Sequence, residues 1–374
     1  MVKRKIDSLN AEISLLSFGL MRLPVVDGDK ARIDYPKAEA MVDRALKAGI
    51  NYFDTGYPYH GRMSEVFAGD ILTKYPRDSY YLATKMPTSD IIQSLDDVKR
   101  IFDEQLGKCK TDFFDFYLAH GINNARKEVL RDKVYDYLSK KKEEGLIRRL
   151  GFSFHDSTPV MRFFLENYKW DFSQIQLNYV DWDVIDAKGI YEALVEHKVP
   201  VIIMEPVKGG ALAKLDEKTS SVFKKANPTA SAASWALRYA ASLPGVATVL
   251  SGMSDMEQLE ENIKLFSDFK PIESQEQKVI DEAVKAYKAN ITVPCTKCNY
   301  CIDCPSGVDI PSILEIYNQF LLIRRKRNFI VQYQAMDEAK KAHNCTGCGI
   351  CMKQCPQNID IVKHLEDVKL VIAS

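Results

Sequence analysis

The sequence predicts an α/β fold: a (β/α)8 barrel of the TIM type, followed by a small, mainly helical domain. Across residues 1–270, short apolar runs rich in β-forming residues alternate with longer segments of helical period. Eight such alternations in about 250 residues match the count and the size of a TIM barrel. Eight of the nine cysteines lie beyond residue 294, so a second domain of different composition follows.

Each predicted strand is a short run of apolar and β-branched residues. The eight runs are residues 13–18, 52–53, 80–83, 114–119, 149–152, 174–177, 201–204 and 248–250. Three of the intervening segments place apolar residues at helical spacing, namely Met41, Val42 and Ala45; Leu130, Val134 and Leu138; and Leu259, Ile263 and Phe266. Gly49 and Gly145 follow the first two segments, as glycines often follow helix ends.

An open, doubly wound parallel sheet is the alternative fold for alternating strands and helices. That fold usually carries a glycine-rich turn after an early strand, and no G-x-G-x-x-G follows any of the eight runs. The pattern therefore favours the closed barrel, with the open sheet as its structural rival.

The C-terminal part divides into a linker helix and a second domain. Residues 271–294 have the apolar spacing of a helix and end at Pro294, which breaks it. Residues 295–374 hold two cysteine runs. The segment between these runs also has helical spacing, carried by Ile313, Ile316, Tyr317 and Phe320. We therefore predict a second domain that is mainly helical.

Composition and charge exclude several function classes. Lys and Arg together number 51, as do Asp and Glu, so a nucleic-acid binder that relies on a global positive field is disfavoured. No apolar run approaches the roughly 20 residues of a membrane span. The basic N-terminus is not followed by an apolar stretch of signal-peptide type. We expect a cytoplasmic protein with no membrane partner and no nucleic-acid partner.

The cysteine runs have the spacing of iron–sulfur ligands. Residues 345–356 fit the C-x2-C-x2-C-x3-C-P pattern of bacterial [4Fe–4S] ferredoxins, and residues 295–305 differ by one residue fewer before the last cysteine. A pair of four-cysteine zinc sites is the alternative, although zinc sites usually use two separated C-x2-C pairs. Since a reducing compartment keeps thiols free, metal binding is favoured over disulfides. Cys109 stands alone and needs no special role.

The rule for two-cluster ferredoxins assigns the fourth cysteine of each run to the other cluster. It predicts two [4Fe–4S] clusters whose ligand sets mix the runs. One set is Cys295, Cys298, Cys301 and Cys355, and the other is Cys345, Cys348, Cys351 and Cys304.

Four titratable side chains follow or end successive predicted strands. Asp54 follows the second strand with Tyr59 five residues on, Lys85 follows the third, and His120 ends the fourth. Taken singly, each has an ordinary explanation, such as a solvated lysine or a core histidine. Because active sites of TIM barrels form at the C-terminal ends of strands, the four together indicate a catalytic group.

The sequence resembles the aldo-keto reductase family, in particular members with a C-terminal ferredoxin-type domain. Residues 51–65 (NYFDTGYPYHGRMSE) are similar to the family segment with the catalytic Asp and Tyr. The segments similar to its Lys, His and cofactor-binding regions are LATKMP (82–87), YLAHG (117–121), GFSFH (151–155), QLNY (176–179), MEPVKGG (204–210) and SGMSDMEQLEEN (251–262). The resemblance implies a nicotinamide-dependent oxidoreductase that interconverts a carbonyl compound and an alcohol.

The resemblance assigns a role to each member of the tetrad. Tyr59 is implied to act as general acid in reduction and general base in oxidation. Lys85 is expected to lower the pKa of Tyr59 from its usual value near 10, while Asp54 holds Lys85 by an ion pair. His120 is implied to hydrogen-bond the substrate oxygen and orient it.

The resemblance also indicates residues for NAD(P)H. The implied cofactor contacts are Ser153, Gln176, Met204, Ser251, Gly252, Gln258, Glu261 and Asn262. Met204 stands near the position of an aromatic residue that usually stacks on the nicotinamide. The Lys and Arg that often bind the 2′-phosphate of NADP are replaced by Gly252, Met253 and Gln258, so the loop favours NAD, or neither cofactor strongly.

Two function classes follow. The first is an NAD(P)-dependent enzyme that acts on a small carbonyl or alcohol substrate, with clusters for structure or for electron transfer to a partner. The second is a redox-sensing or electron-transfer protein whose barrel binds nucleotide without significant carbonyl turnover. The basic run at residues 324–327 is either a solvated helix face or a docking patch for an acidic redox partner.

Overall fold

The computed structural model describes residues 1–290, 293–323 and 326–373. The chain divides into two compact units. The barrel unit comprises Met1–Lys214 and Ala230–Ser274, and the small unit comprises Leu215–Thr229 and the described residues of Gln275–Ser374. The domain boundaries expected at residues 270 and 294 stay predictions.

The barrel unit begins with a hairpin and continues into a closed sheet of eight parallel strands. The hairpin pairs β1 (Lys3–Ile6) with β2 (Ala11–Ser14) in antiparallel register. The barrel strands are β3 (Leu16–Gly19), β4 (Tyr52–Asp54), β5 (Tyr81–Pro87), β6 (Phe116–Ile122), β7 (Leu150–Phe154), β8 (Phe172–Gln176), β9 (Val201–Met204) and β10 (Val246–Ser251). Because β10 pairs with both β9 and β3, the sheet closes, which confirms the (β/α)8 barrel and excludes the open sheet.

The first predicted strand, residues 13–18, is wrong as a single element. The chain leaves β2 at Ser14, passes Leu15 and enters β3 at Leu16. Residues 13 and 14 belong to the hairpin strand β2. Ala11 and Ile13 of that strand pack with Tyr52 and Phe116 in the core of the barrel. The hairpin therefore contributes apolar side chains to the core inside the barrel.

The helices of the described residues follow the predicted alternation. Their bounds are α1 (Tyr35–Lys47), α2 (Met63–Leu72), α3 (Leu95–Cys109), α4 (Lys127–Val129), α5 (Tyr135–Glu143), α6 (Thr158–Asn167), α7 (Asp181–Val184), α8 (Ala187–Glu196), α9 (Glu217–Ala226), α10 (Ala232–Ser242), α11 (Met256–Ser267), α12 (Ser274–Asn290), α13 (Ile310–Ile323), α14 (Lys326–Gln334), α15 (Ile350–Gln354) and α16 (Ile361–Ala373). A π-helical turn at Leu130–Val134 joins α4 to α5.

Local sequence explains where the helices begin and end. The Asp34 carboxylate accepts the backbone N–H of Lys37 and caps α1, which ends just before Gly49 with φ +90°. At α3, the Ser94 hydroxyl and the Asp97 carboxylate form a capping box. Such caps fix the point at which the chain leaves each barrel strand and enters the next helix.

The small unit is mainly helical, as predicted. Its core contains two cysteines, Cys301 and Cys351, beside apolar side chains from α13, α14 and α16. The apolar residues include Ile313, Leu314, Tyr317, Phe329, Leu365 and Val368. Of the basic run, Arg324 and Arg325 lie outside the described residues, and Lys326 and Arg327 begin α14. Among the described helices, none has the length and apolar character of a membrane span.

Candidate active site and cluster pockets

A buried ion pair forms the base of the candidate active site. Lys85 lies in β5 and Asp54 ends β4, and the neighbouring strands bring Lys85 Nζ within 2.5 Å of Asp54 Oδ1. The ammonium also donates to the carbonyl oxygen of Thr55 at 2.6 Å. Lys85 is 1 % exposed and Asp54 is 3 % exposed. At such burial, either charge would be strongly destabilising without the other.

The ring of Tyr59 lies beside the ammonium group of this ion pair. Lys85 Nζ is 4.8 Å from the centre of the phenol ring, and the ring packs edge-on against His120 at 6.0 Å between centroids. A Cβ at Gly56 would lie 3.1 Å from Cζ of Tyr59, so glycine lets the ring approach the chain. After Tyr59, His60 and Arg62 both have positive φ, a strained backbone that makes the turn tight.

His120 completes the group from β6. Its backbone carbonyl accepts hydrogen bonds from Thr88 Oγ1 at 2.7 Å and from Arg126 Nη1 at 3.4 Å. The predicted tetrad residues thus gather at the C-terminal ends of three neighbouring strands, although their catalytic roles stay predictions.

The electrostatics differ in one respect from the sequence expectation. Burial raises the pKa of Tyr59 above its ordinary value, and the Lys85 charge opposes this rise without reversing it. Burial alone would lower the pKa of Lys85, but Asp54 and Tyr59 together raise it. Lys85 therefore remains an ammonium and Tyr59 a neutral phenol near neutral pH. Lys85 thus lowers the pKa of Tyr59 as expected, but loss of hydration raises that pKa by more.

His120 is held as a neutral imidazole. Burial lowers the pKa of His120 well below 6.5, and the charges of Lys85, His155 and Arg126 lower it further. A neutral ring can donate one hydrogen bond and accept another. Near neutral pH, Tyr59 is therefore protonated and His120 is uncharged.

A buried polar network holds the strand that carries Lys85. The sequence did not predict this network. Glu65 Oε1 accepts from Thr84 Oγ1 at 2.6 Å and from Gln105 Nε2 at 2.5 Å. Gln105 Nε2 also lies 3.0 Å from the backbone carbonyl oxygen of Lys85. The network ties α2 and α3 to β5, so it fixes the strand that carries Lys85. The only signal was that Glu65 ends the 51–65 segment.

Two of the predicted nicotinamide contacts lie at adjacent strand ends. Ser153, in β7, accepts the backbone N–H of Gly121 at 2.7 Å. Gln176, at the end of β8, donates through Nε2 to Asp181 Oδ2 at 2.8 Å. Met204, at the end of β9, packs against the barrel core, and Gln174 Nε2 lies 3.7 Å from its sulfur. All three side chains are held by neighbours in the barrel wall.

Residues that the sequence analysis did not single out fix Gln176. Asn178 donates through Nδ2 to the same Asp181 carboxylate at 2.7 Å, and Lys208 Nζ binds the other oxygen at 2.5 Å. Asn178 and Asp181 are both fully buried. The segments QLNY and MEPVKGG contain Asn178 and Lys208, but the ion pair joins separate strands and leaves no sequence pattern.

The loop after β10 brings some predicted residues together and leaves another apart. Asn262 Nδ2 donates to Ser251 Oγ at 3.2 Å, and both side chains are buried. Gln258 is tied to Asp255, with Nε2 2.6 Å from Oδ2. Glu261 is exposed. Gly252 packs against Arg22, since a Cβ there would lie 3.0 Å from Arg22 Cδ.

The cysteines of the small unit surround two pockets. The lining cysteines of the first pocket are Cys301, Cys304, Cys345, Cys348 and Cys351. The lining cysteines of the second are Cys295, Cys298, Cys301 and Cys355. The pockets enclose about 370 Å³ and about 310 Å³, including space open to solvent. Cys304 and Cys355 thus each lie with three cysteines of the opposite run, the arrangement that the two-cluster rule predicts.

The cysteine side chains that line these pockets are suitable ligands for iron–sulfur clusters. In the described residues, no three His, Cys, Asp or Glu side chains could hold a single metal ion. The cysteines instead stand around an open space, and thiolates are the usual ligands of iron–sulfur clusters.

The chain thus combines a closed eight-stranded barrel, with four polar side chains gathered at its strand ends, and a cysteine-rich unit. The chain belongs to the Aldo/keto reductase family, whose pattern matches residues 15–285. A 4Fe-4S dicluster domain matches residues 294–360. The family resemblance and the ferredoxin-type domain are therefore confirmed, and iron–sulfur ligation is favoured over the zinc alternative.

Two curated proteins are similar to most of the chain. L-galactose dehydrogenase of Arabidopsis thaliana is 26 % identical over 316 residues, which cover 78 % of this chain and 96 % of that protein. The uncharacterized oxidoreductase YqkF of Bacillus subtilis is 26 % identical over 321 residues, with the same coverage. Both relatives support an oxidoreductase.

Solved structures share the fold. The holo form of aldo-keto reductase AKR11C1 from Bacillus halodurans has a TM-score of 0.64 and 26 % identity, and the match covers 76 % of this chain and 97 % of that one. An aldo-keto reductase from Klebsiella pneumoniae in complex with NADPH has a TM-score of 0.62 at 18 % identity, covering 77 % and 96 %. At that identity, the second likeness shows the fold alone.

Proposed function

We propose that the protein is an NAD(P)-dependent oxidoreductase that interconverts a small aldehyde or ketone and the corresponding alcohol. The observation that carries this proposal is the buried Lys85–Asp54 ion pair beside Tyr59, whose ring packs edge-on against His120. A carbonyl that becomes an alcohol needs a proton on oxygen, and Tyr59 is the protonated group placed to give it.

Each member of the tetrad has a separate task. Tyr59 protonates the carbonyl oxygen during reduction and takes the proton back during alcohol oxidation. The ammonium of Lys85 favours the tyrosinate that forms, and so limits the pKa rise caused by burial. Asp54 keeps Lys85 charged, and the neutral His120 orients the substrate oxygen by a hydrogen bond.

The bound nicotinamide supplies the hydride. Ser153 and Gln176 would hold its amide, because their polar groups are fixed at adjacent strand ends, and Met204 would lie beside the ring. The residues proposed for the adenosine end are Ser251, Gly252, Gln258, Glu261 and Asn262. The Asp255 carboxylate beside Gln258 disfavours a 2′-phosphate, so we propose a preference for NADH.

We propose that the small unit holds two [4Fe–4S] clusters. One would use Cys295, Cys298, Cys301 and Cys355, and the other Cys304, Cys345, Cys348 and Cys351. The two pockets support this pairing. Hydride transfer moves two electrons together and each cluster moves one, so the clusters serve structure or electron transfer to a partner protein rather than the hydride step.

The test is turnover by the anaerobically prepared holoprotein with NADH or NADPH and a panel of aldehydes. Tyr59→Phe should reduce turnover by about 10²- to 10⁴-fold, because general acid catalysis contributes that much. Nucleotide binding, measured by fluorescence titration, should survive. Tyr57→Phe is the matched control, since its hydroxyl bonds Glu104 at 3.0 Å on α3.

Two outcomes would contradict the proposal. Equal turnover by Tyr59→Phe and the wild type would remove Tyr59 from its role. Nucleotide binding without turnover of any aldehyde or alcohol would favour the redox-sensing alternative instead.

A further inference from the structure

A half-buried arginine lies beside the proposed catalytic group and has no acidic partner. Arg126 follows β6, and its Nη1 donates to the backbone carbonyls of Gly121 at 3.1 Å and His120 at 3.4 Å. In the described part of the chain, no carboxylate lies within ion-pair distance of Arg126, and Nε and Nη2 have no protein acceptor. A guanidinium carries five N–H donors, so most remain available.

Three other cations near the C-terminal ends of the strands have carboxylate partners. Lys85 is paired with Asp54 at 2.5 Å and Lys208 with Asp181 at 2.5 Å. Arg22, after β3, lies 3.4 Å from Glu205. Arg126 differs from these three because, among the described residues, its guanidinium meets only backbone carbonyl oxygens. It is therefore able to bind an external anion.

The charge around His120 agrees with this reading. The charged groups that lower the pKa of His120 after burial are Lys85, His155 and Arg126, all of them cationic or able to become so. The acid on the neighbouring loop, Asp156, is engaged by backbone N–H groups, at 2.8 Å from Asn124 and 2.6 Å from Ser157. Lys127, next to Arg126, packs on the ring of Phe163 at 3.9 Å.

We propose that Arg126 selects substrates with a carboxylate near the reacting carbonyl, so that the substrate class is oxo acids and the matching hydroxy acids. This inference rests on the proposed function. The carbonyl carbon gains the hydride from NAD(P)H and the oxygen gains the proton of Tyr59. NAD(P)⁺ and a hydroxy acid leave, and a proton from water restores Tyr59. The carboxylate is unchanged, and its two oxygens accept hydrogen bonds from Arg126.

The test compares an acid with its neutral ester. 4-Oxobutanoate and methyl 4-oxobutanoate have the same aldehyde and differ in one charge. The wild type should prefer the acid in kcat/KM, and Arg126→Gln should reduce that preference by about 10- to 100-fold, the usual effect of losing a charge-assisted hydrogen bond. A structural role of Arg126 at the His120 carbonyl would instead reduce both substrates equally, and that result would overturn the inference.

The control removes the same charge elsewhere. Arg131 lies on the π-helical turn, is 64 % exposed and pairs with Asp132. Arg131→Gln should leave the ratio of acid to ester unchanged. An equal change of the acid-to-ester ratio in both variants would mean that only the net charge of the protein matters. That result would overturn the assignment to Arg126.

Binding of an unreactive anion separates this inference from the proposed function. Succinate should bind the wild-type holoprotein by calorimetry, and Arg126→Gln should weaken this binding by about 10- to 100-fold. Succinate binding that depends on Arg126, in a protein with no turnover, would support the anion site and contradict the enzyme. Turnover with equal succinate binding in both proteins would support the enzyme and contradict the anion site.

Discussion

In the barrel, Lys85 and Asp54 are 2.5 Å apart inside a continuous hydrogen-bonded wall, whereas the cysteines of the small unit stand around two open pockets. The first site is assembled by packing: strands set the positions, and a buried network behind β5 holds them. In the second site, cysteines from both runs line each pocket. The comparison teaches that one site is fixed by hydrogen bonds between neighbouring strands, whereas the other is formed by cysteines that two separate loops bring around a shared space.

Removing the clusters gives the largest expected difference between the two units. After ferricyanide oxidation and chelation, backbone amides of α13 and α16 should exchange freely, because metal binding supplies folding energy to such small domains. The barrel strands should keep their protection, since closed pairing protects them. Hydrogen exchange with mass spectrometry measures both units in one sample. Full protection of α13 and α16 without iron would contradict the expected difference between the two units.

Lys85→Met tests whether packing alone maintains the barrel site. It leaves Asp54 buried without a partner, so the free energy of unfolding should fall by about 3–5 kcal/mol. Removing both charges with Lys85→Met and Asp54→Asn should restore much of this loss. All three tryptophans, Trp170, Trp182 and Trp235, lie in the barrel unit, so their fluorescence during urea unfolding measures it.

The matched control for this prediction is a surface pair. Lys74 contacts Glu39 with side chains 51 % and 37 % exposed, and Lys74→Met should cost about 0–1 kcal/mol. If Lys85→Met and the double variant lose the same free energy of unfolding, the loss comes from changed packing volume rather than from the unpaired charge of Asp54.

Paired cysteine variants sharpen the assignment within the small unit. If Cys298 and Cys355 share a cluster, Cys298→Ala with Cys355→Ala should leave about four iron atoms of about eight. Cys298→Ala with Cys304→Ala should lose nearly all iron, because those residues would serve different clusters. Iron and sulfide analysis of anaerobic preparations measures this, with Cys109→Ala as the control. The reverse pattern would mean that each run holds its own cluster.

The smallest expected effect is a pH dependence in the barrel. Burial, followed by the charges of Lys85, His155 and Arg126, lowers the pKa of His120 well below 6.5. Below pH about 6.5 the unfolded chain therefore binds a proton that the folded barrel does not, so stability falls as pH falls. His120→Gln should flatten the slope of unfolding free energy between about pH 5 and 6.5. An unchanged slope, followed by tryptophan fluorescence, would contradict this neutral state.

The sequence predicts those features that repeat along the chain. Eight apolar runs indicate a closed barrel because parallel strands buried on both faces need them. Cysteine spacing predicts the two pockets because each run of ligands is local, and the rule for two-cluster ferredoxins predicts that Cys304 and Cys355 each lie with the opposite run. The tetrad could be located because Asp54, Lys85 and His120 lie at or near the ends of successive predicted strands and Tyr59 follows Asp54 closely.

Contacts between distant segments could not be predicted in the same way. Asp181 meets Lys208 only because β8 and β9 are neighbours. Arg126 looked like any loop arginine until the fold placed it at the carbonyl of His120. The direction of the Tyr59 pKa also depended on burial, which composition does not reveal. Tertiary packing decides these features, and a single sequence carries no periodic sign of them.

The backbone N–H of Val2 donates to the carbonyl oxygen of Phe266 at 3.0 Å, so the two ends of the barrel unit lie side by side. A short Gly-Ser connection from the end of α11 to the start of β1 would therefore join them without stretching the chain. New termini could then be opened in an exposed loop by circular permutation, which succeeds where backbone contacts are few. Such a permuted chain would keep the order of the strands around the barrel while its first and last residues lie elsewhere on the surface.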